Sequence, residues 1–524
     1  MKKNSCALTL LLLSNAFFCW AQPGSLDPTF SNDGKVTTKF NGGDYGRSIA
    51  IQTDGKIIFA GFDGNYDFAT VRYRTNGTID TTFGIGGKVT TDFGAEDYAL
   101  SAAIQKNGKI VLAGFSGEGS EGQFALTRYN QNGSTDSSFG LNGKVLTPFG
   151  TNSYDQANAM VLQQNGKIVV SGYSSAQTNY YAFAVARYLA NGQLDKSFGT
   201  GGKVIINNNN NVNVSQAHSL AILSNGKILI AGSVEYSNIT TDFQLVQLTA
   251  NGRIDSSFGT NGIALTDFGG YDDVAYSVKV LSDGKILEGG YASPSSTVGD
   301  FGLVGLNADG KIDTTFGTKG KTLTDFGSGN NAIYSINVQS NGKIVAAGYA
   351  SNGTNIDFAL ARYTEWGKTD NSFGTKGKVL TDFSGGTDYG LSSALQPDGK
   401  IVLGGWSSAA NGTGSLFAAA RYIGDSTSKI GDYNFSEYQA NKNDFKALTH
   451  ISLSPNPVND ILRIQGLPSS VSVISVFDIS GKKIQNVIVS GSSFQFDVKE
   501  LPLGLYFVTI RNGENTSTFK FVKE

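Results

Sequence analysis

Short stretches in which β-branched and aromatic residues alternate with polar ones follow one another along most of the chain. Near the beginning they run Lys35–Phe40, Arg47–Gln52, Lys56–Phe62 and Phe68–Tyr73. Gly, Asn or Asp bounds each stretch, and no amphipathic helical pattern fits between them. Short runs with a period of two predict β-strands. We therefore expect four strands in this unit of the chain.

The turns between these stretches predict antiparallel pairing. Asp54-Gly55 and Asn76-Gly77 are dipeptides that adopt the positive φ angles of two-residue hairpins. The third strand, Lys56–Phe62, is apolar on both of its alternating faces. Such a strand is expected to be covered on both sides.

Two sequence markers show that this unit recurs. The first is an Asp followed three residues later by Phe, at Asp27, Asp80, Asp136, Asp195, Asp255, Asp313 and Asp370, with spacings of 53 to 60 residues. The second is an Asn or Asp before Gly-Lys, at Asp54, Asn107, Asn165, Asn225, Asp283, Asn341 and Asp398. Seven units of four covered antiparallel strands predict an all-β fold, a seven-bladed β-propeller. Either whole blades close the ring, or Lys35–Phe40 completes the sheet of the last unit.

The marker segments resemble a known repeat. The segments LDPTFSNDGKV, IDTTFGIGGKV and IDTTFGTKGKT, with DGKI or NGKI between them and a closing Arg-Tyr, are similar to the delta-60 repeat of secreted bacterial proteins. The resemblance covers Leu26 to Gly424 and implies a propeller without a settled activity. The marker Asp is expected to be structural: it can accept hydrogen bonds from the following turn, and the Arg of the Arg-Tyr pair is a possible partner.

The last part of the chain has a different pattern. Short strands with intervening turns fill Ile451 to Glu524 and predict a small C-terminal β-sandwich. The segments Ser454–Pro457, Asp478–Lys482, Leu503–Tyr506 and Lys520–Lys523 resemble the type A sorting domain of proteins that Bacteroidetes export by type IX secretion. The resemblance implies the type IX secretion machinery as a partner, and a secreted, extracellular or outer-cell-surface location.

The N-terminal segment has the layout of a secretory signal. Lys2 and Lys3 precede an apolar run, and Ala21 is a small residue at the expected cleavage position; a lipoprotein signal that uses Cys19 is the alternative. The predicted domains are therefore a signal peptide (1–21), the propeller (22–424), a polar linker (425–448) and the sorting domain (449–524). No later apolar run is long enough to span a bilayer, so we expect no transmembrane segment in the mature chain.

Composition excludes several kinds of activity. The formal net charge is −2 and no cluster of Lys and Arg occurs, which argues against a nucleic-acid surface. The chain has 2 cysteines, both in the predicted signal, and 2 histidines, so cysteine or multi-histidine metal sites and a histidine-based nucleophile relay are not expected. No phosphate-binding or nucleotide-binding motif fits its required context. We expect no cofactor and no metal site.

Two features remain as candidate binding residues. The residue after the small-Gly pair of the third strand is aromatic in all units but the fourth, which has Ser233. These six residues, Phe62, Phe115, Tyr173, Tyr291, Tyr349 and Trp406, should form an incomplete ring that is either a stacking platform for sugars or peptides, or packing between blades. Glu288 stands where the other units have apolar residues. It could be a catalytic acid, a channel-lining group or an exposed strand end, and we favour the last two readings.

Two functions follow from these patterns. The favoured one is a secreted or cell-surface propeller that acts as a non-catalytic binding module for a glycan or protein ligand, because strongly repeated units leave little of the asymmetry that an active site needs. The alternative is a glycan-active hydrolase or lyase that uses carboxylates at the mouth of the channel.

Overall fold

The computed structural model describes two parts of the chain. One is 22–425 without 177–179, 207–211, 237–239, 295–297, 328, 409–411 and 413, and the other is 451–523 without 456, 468–471, 479–482, 490–491, 500 and 513–514. The predicted signal peptide, 1–21, and the linker after 425 lie outside the described residues. The chain divides into two compact units, Met1–Ile430 and Gly431–Glu524.

The first unit consists of seven antiparallel four-stranded sheets, which confirms the predicted propeller. Blades one to three comprise β2–β5 (Tyr45–Ile51, Ile57–Phe62, Phe68–Tyr73, Lys88–Thr91), β6–β9 (Glu96–Ile104, Ile110–Glu118, Glu121–Tyr129, Lys144–Thr147) and β10–β13 (Asp155–Leu162, Ile168–Ser174, Ala182–Tyr188, Lys203–Ile206). Blades four to six comprise β14–β17 (Val212–Ile222, Ile228–Tyr236, Thr241–Leu248, Ile263–Thr266), β18–β21 (Asp273–Val280, Ile286–Ala292, Asp300–Leu306, Lys321–Thr324) and β22–β25 (Asn331–Val338, Ile344–Ser351, Ile356–Tyr363, Lys378–Thr381).

The seventh blade closes the ring with a strand from the start of the chain. It comprises β26–β28 (Asp388–Leu395, Ile401–Ser408, Ser415–Tyr422) and β1 (Lys35–Thr38), which pairs antiparallel with β28. Of the two predicted closures, the structure therefore has the one in which the Lys35 stretch completes the last sheet. The strand that begins each sequence unit, such as Lys35–Thr38 or Lys88–Thr91, is therefore the fourth strand of the preceding blade in the ring.

The hydrophobic core is divided among the interfaces between consecutive blades. Phe59 of blade one packs with Val402 and Phe417 of blade seven, and equivalent clusters join the other neighbours. The second strand of a blade is the strand that is third in the sequence unit. In blades one and three this strand, β3 or β11, is buried along its length, as its apolar residues on both faces predicted. Gly55 adopts a φ of 80° in the first hairpin, which is the conformation that the Asp-Gly pair favours.

The marker residues form a repeated buried network, so the structural interpretation of the marker Asp is confirmed. In blade one, Oδ1 of Asp80 accepts a hydrogen bond from the backbone of Thr82, and Oδ2 lies 3.0 Å from Nε of Arg72 and 3.4 Å from Nζ of Lys56. The Arg72 guanidinium lies 4.7 Å from the ring centroid of Phe83. Desolvation opposes ionisation, but hydrogen bonds from Thr82 and the nearby cations lower the pKa of Asp80 to about 2.

The second unit is a small β-sandwich. Its sheets are β29–β30–β33 (Ser452–Ser454, Ile461–Gln465, Ser493–Asp497) and β32–β31–β34–β35 (Lys483–Val489, Ser472–Asp478, Gly504–Asn512, Asn515–Lys523). Leu462 and Ile464 of one sheet share a buried cluster with Ile474, Val476 and Val508 of the other. Within the described parts of both units, no helix is long and apolar enough to cross a membrane.

Candidate functional site at the channel mouth

The first strands of the blades line the central channel. These strands, β2, β6, β10, β14, β18, β22 and β26, contact one another in a closed ring. Each carries a β-bulge at the same place: in blade one the register shifts between Gly46 and Ser48 and leaves Arg47 unpaired in the ladder. A bulge bends its strand and re-aims the extra side chain. The seven bulged residues are Arg47, Leu100, Asn158, His218, Tyr276, Tyr334 and Leu391.

The hydrogen bonds that frame the bulge recur in most blades, whereas the bulged residue itself varies. In five blades a serine after the bulge accepts a hydrogen bond from a backbone N–H of the next blade; Ser48, for example, accepts from Ala102 at 3.0 Å. Blade three has Ala159 at this position, and there the Asn158 amide donates to the carbonyl of Ala217 at 2.8 Å. The frame is therefore structural, and the varied bulged residues are the asymmetric part of the channel.

The bulged side chains meet inside the ring. The rings of Tyr276 and Tyr334, from successive blades, stack with centroids 4.2 Å apart, and His218 lies 5.0 Å from Tyr276. Tyr334 of blade six also raises the pKa of Arg47 of blade one, although these two blades are not neighbours in the ring. These side chains consequently face the channel.

An aromatic collar surrounds one end of this channel, the end at which the first strands begin. It comprises the first-strand rings Tyr45, Tyr98, Tyr154, Tyr276, Tyr334 and Tyr389 together with the second-strand rings Phe62, Phe115, Tyr173, Tyr349 and Trp406. Adjacent members touch across the blades: Trp406 lies 5.1 Å from Tyr45, and Phe62 lies 4.6 Å from Tyr98. The contacts run from His218 of blade four through blades five, six, seven, one, two and three.

The collar is interrupted at blade four by a polar sector. There Ser233 pairs with Gln216, where most other blades have an aromatic residue on the second strand. Next to this gap, the Tyr173 hydroxyl donates to Oε1 of Gln156 at 2.9 Å, and the Gln156 amide donates to Oδ1 of Asn158 at 2.8 Å. The mouth therefore combines aromatic faces with a localised set of amide and hydroxyl groups.

Arg47 adds positive charge to the channel, and it has no acidic partner among the described residues. Nε of Arg47 is buried without a hydrogen-bond partner, and its guanidinium lies 5.6 Å from the ring centroid of Phe62. Desolvation lowers the pKa of Arg47, and the neighbouring Tyr334 and Tyr45 oppose this effect. Desolvation also lowers the pKa of Lys279 and lowers that of His218 to about 4. At neutral pH, His218 is therefore uncharged, whereas Arg47 remains a cation.

Family models match both units of the chain. A secretion system C-terminal sorting domain matches 452–524. A domain of unknown function (DUF5122) beta-propeller matches seven times, at 52–83, 105–139, 163–198, 223–258, 281–316, 339–373 and 396–425. The chain is a DUF5122 β-propeller protein with a type IX sorting domain. This sorting domain directs export by type IX secretion to the cell surface or the extracellular space.

Several solved structures are similar to this DUF5122 propeller at low sequence identity. The polysaccharide lyase Uly1 is 11% identical, with 72% of this chain and 90% of that chain covered and a TM-score of 0.44. Sqt1 from Chaetomium thermophilum is 10% identical, with 74% and 98% covered and a TM-score of 0.37. An endo-arabinanase of glycoside hydrolase family 43 from Bacillus licheniformis is 10% identical, with 61% and 91% covered and a TM-score of 0.27. No curated protein matches the sequence.

The six aromatic residues predicted from the DUF5122 repeats occupy two environments. Phe62, Phe115 and Tyr173 are buried, whereas Tyr291, Tyr349 and Trp406 are half-buried. The three buried residues have the predicted packing role between blades, whereas the three half-buried residues reach solvent, and a stacking role for them stays a prediction. The first-strand aromatics and the bulged residues were missed. The tyrosine that directly follows an Asp, as in Asp44-Tyr45 and Asp97-Tyr98, was a signal that could have found part of this set.

The interpretation of Glu288 as an exposed strand end or channel-lining group is wrong. Its side chain is 1% exposed, and it shares a strand face with Ile286, which packs into the apolar core between blades four and five. Glu288 pairs with Val278 and Val304, and its Oε1 has no hydrogen-bond partner. Burial raises the pKa of Glu288 to about 8. The carboxyl group consequently lies in the core and away from the channel.

Proposed function

We propose that this exported propeller is a non-catalytic binding module that holds an acidic glycan at the aromatic collar. Arg47 carries the proposal: its buried Nε lacks a partner, although buried guanidinium groups are normally hydrogen-bonded. A carboxylate or sulfate on a sugar would satisfy this donor. The arrangement places the cation beside rings that can stack on sugar faces, since Phe62 lies under the guanidinium.

The half-buried rings supply the contact surface. Tyr349 and Trp406 both touch Tyr389, with centroids 4.6 Å and 4.8 Å away, so three rings from two blades form one continuous face. Rigid rings offer a large contact area with little loss of conformational entropy. Gln156 and Asn158 on the other side of the mouth are half-buried and bonded to each other, and only the hydrogen-bonding capacity that these contacts leave unused is available for sugar hydroxyl groups. We therefore expect stacking on one side and hydrogen bonding on the other.

The distribution of carboxylates favours binding over glycoside hydrolysis. Hydrolysis normally requires two carboxyl groups about 5 to 9.5 Å apart across the scissile bond. None of the seven bulged residues is acidic. Glu288 lies in the core, and the marker Asp residues are held by cations, as Asp80 is by Arg72 and Lys56. The bulged residues, Glu288 and the marker Asp residues therefore give the predicted hydrolase little support. Other carboxylates do lie at the collar end, among them exposed Glu96, whose Oε2 accepts a hydrogen bond from the Tyr98 hydroxyl at 2.8 Å.

An eliminating lyase is a second candidate because His218 lies against Tyr276. A neutral imidazole and a phenol at 5.0 Å between ring centroids could serve as base and acid without a carboxylate. Arg47 would then neutralise the acidic group of the substrate. This function needs the same glycan class, so one set of measurements separates the two candidates.

The test is binding of the mature protein to immobilised acidic and neutral polysaccharides. Arg47→Gln should weaken retention on acidic polymers about tenfold or more, as expected for loss of a charge-assisted hydrogen bond. Trp406→Ala should abolish retention, whereas Trp366→Ala should not, because Trp366 is 53% exposed at the opposite end of the blades. Equal retention of Arg47→Gln and wild type on all polymers would contradict the proposal. Release of unsaturated sugars by wild type but not by His218→Gln would replace it with the lyase.

A further inference from the structure

Groups of three aspartates recur where consecutive blades meet. They are Asp67–Asp92–Asp97, Asp242–Asp267–Asp273 and Asp357–Asp382–Asp388, and in each group three carboxylate oxygens lie within 4.8 Å of one another. One Asp comes from the start of a third strand or the residue before it, the second follows the fourth strand, and the third lies at the start of the next blade. These groups therefore lie at the collar end of the blades. Asp97 and Asp388 directly precede the collar residues Tyr98 and Tyr389.

Other junctions show how the protein satisfies the last Asp of such a group without a ligand. Asp44 accepts hydrogen bonds on both oxygens from backbone N–H groups, among them those of Phe40, at 2.7 Å, and Gly64, at 3.2 Å. Asp155 accepts on Oδ2 from Phe149 N–H and on Oδ1 from the Ser174 hydroxyl. Both carboxylates are fully buried and fully satisfied.

The equivalent residues in two of the acidic groups are not satisfied. Asp97 and Asp388 are 0% exposed, and Oδ2 of each accepts one backbone N–H, from Phe93 and Phe383 respectively. Oδ1 of each has no hydrogen-bond partner. Asp97 pairs with Ser116 across the ladder, and Asp388 pairs with Ser407. Both serine hydroxyls are close enough to lower the pKa of the facing carboxyl group, but neither makes a hydrogen bond to Oδ1.

The group between blades six and seven has a second unsatisfied oxygen. Asp357 is 4% exposed, and its Oδ2 accepts from the Asn352 amide at 2.8 Å, while Oδ1 has no partner. Two buried Asp residues of one cluster, Asp357 and Asp388, thus each have a carboxylate oxygen without a donor. Lys35 is the nearby cation, and its Nζ donates to the backbone carbonyl of Asp382 at 3.1 Å. Three carboxylates and one ammonium leave a net charge of −2 at this junction.

We propose that Asp357–Asp382–Asp388 and Asp67–Asp92–Asp97 are binding sites for a hard divalent cation, with Ca²⁺ as the expected ion. Clustered carboxylate oxygens are the ligands that Ca²⁺ prefers in proteins. A cation would satisfy the oxygens that lack donors and offset the charge of the cluster. The Asp242 group is not included, because both oxygens of Asp273 already accept backbone N–H groups, from Phe268 and Ser293.

The junction between blades five and six supplies a natural control. It has Asp300 and Asp325, but Asn331 replaces the last acid. Oδ1 of Asn331 accepts from Ser351 N–H at 3.2 Å, and its amide lies 3.5 Å from Oδ1 of Asp300. An amide therefore substitutes for the cation at this position within the same fold. Asp388→Asn should consequently reproduce a natural junction and fold normally.

The test uses the mature full-length chain, treated with a chelator and then titrated calorimetrically with Ca²⁺ alone. We expect about two bound Ca²⁺ per chain at about 1 mM, the range in which extracellular calcium modules fill. Asp388→Asn should remove one of them, and Asp388→Asn with Asp97→Asn should remove both. Asp300→Asn, at the junction without a third acid, should leave the number unchanged.

Thermal melting gives an independent measurement. Ca²⁺ should raise the melting temperature of wild type, and the increase should be absent in the double variant, whose melting temperature without Ca²⁺ should be at least that of wild type. Absence of Ca²⁺ binding by folded wild type, or equal binding by wild type and the double variant, would overturn the proposal. The result does not depend on glycan binding, so either proposal can fail alone.

Discussion

The isolated carboxyl group of Glu288 should make the propeller less stable as the pH rises. It is fully buried among apolar residues, whereas the same position holds Ile230 in blade four and Val170 in blade three. Burial raises its pKa from 4.5 to about 8, so the folded protein keeps the proton over a range in which the unfolded chain releases it. Below pH 4.5 this carboxyl group is protonated in both the folded and the unfolded chain. The free energy of unfolding therefore falls as the pH rises from 4.5 towards 8.

The pKa shift sets the size of the effect. Each pKa unit corresponds to about 1.4 kcal/mol, so the free energy of unfolding should fall by roughly 3 to 4 kcal/mol between pH 5 and pH 8 because of this group alone. Glu288→Leu removes the titrating group and supplies the hydrocarbon that equivalent blades have. The advantage of Glu288→Leu over wild type should therefore be small at pH 5 and large at pH 8. For a propeller of about 400 residues, 3 to 4 kcal/mol corresponds to roughly 4 °C in melting temperature.

The assay is denaturant and thermal unfolding of wild type, Glu288→Leu and Glu288→Gln at pH 5 and pH 8. Glu288→Gln is the control, because it removes the titration but keeps a buried polar group; it should lose the pH dependence without the full gain in stability. If the difference between wild type and Glu288→Leu is the same at both pH values, Glu288 does not titrate in the core and the reasoning is refuted.

Three further predictions concern the network, the closure and export. Nε of the fully buried Arg362 lies 2.8 Å from Oδ2 of Asp370, so Arg362→Gln removes this ion pair and should lower the free energy of unfolding by about 3 kcal/mol. The control Arg253→Gln, at an exposed position, should change it by less than about 0.5 kcal/mol. Equal urea midpoints for the two variants would contradict a stabilising role of Arg362. Deleting 22–38 removes β1 from the last sheet and should make the protein aggregate in size-exclusion chromatography; elution of the shortened chain like wild type would show that the ring does not need this strand. Truncation at Ser426 should leave folded protein inside the native host in cell-fractionation blots, and the truncated chain outside in full amount would refute the export assignment.

The sequence by itself determined the repeated parts of the fold. Strands and hairpins are local, so the Asp-Gly turn at Gly55 and the apolar strand Ile57–Phe62 could be predicted from alternation and turn residues. Each unit repeats the same strands and turns, and seven copies of the marker Asp and Phe indicated the number of blades. The partner of the marker Asp could also be anticipated, since Arg72 recurs in register with Asp80.

Only the tertiary structure decided which strand closes the ring and which side chains form the channel mouth. Lys35–Thr38 has the same local pattern whichever sheet it joins, and its pairing with Ala420 involves opposite ends of the propeller sequence. The bulge that re-aims Arg47 leaves no mark in the alternation of apolar and polar residues.

The acidic groups show the same limit. Asp357, Asp382 and Asp388 belong to three segments that occur in most units, and nothing local distinguishes the copies that lack hydrogen-bond donors from the satisfied ones. Whether a carboxylate oxygen is satisfied depends on loops that fold against it from the same blade and its neighbour. Local sequence specifies strands and turns because their interactions are short in sequence, whereas a site assembled at the junction of two blades depends on contacts that exist only after the ring has closed.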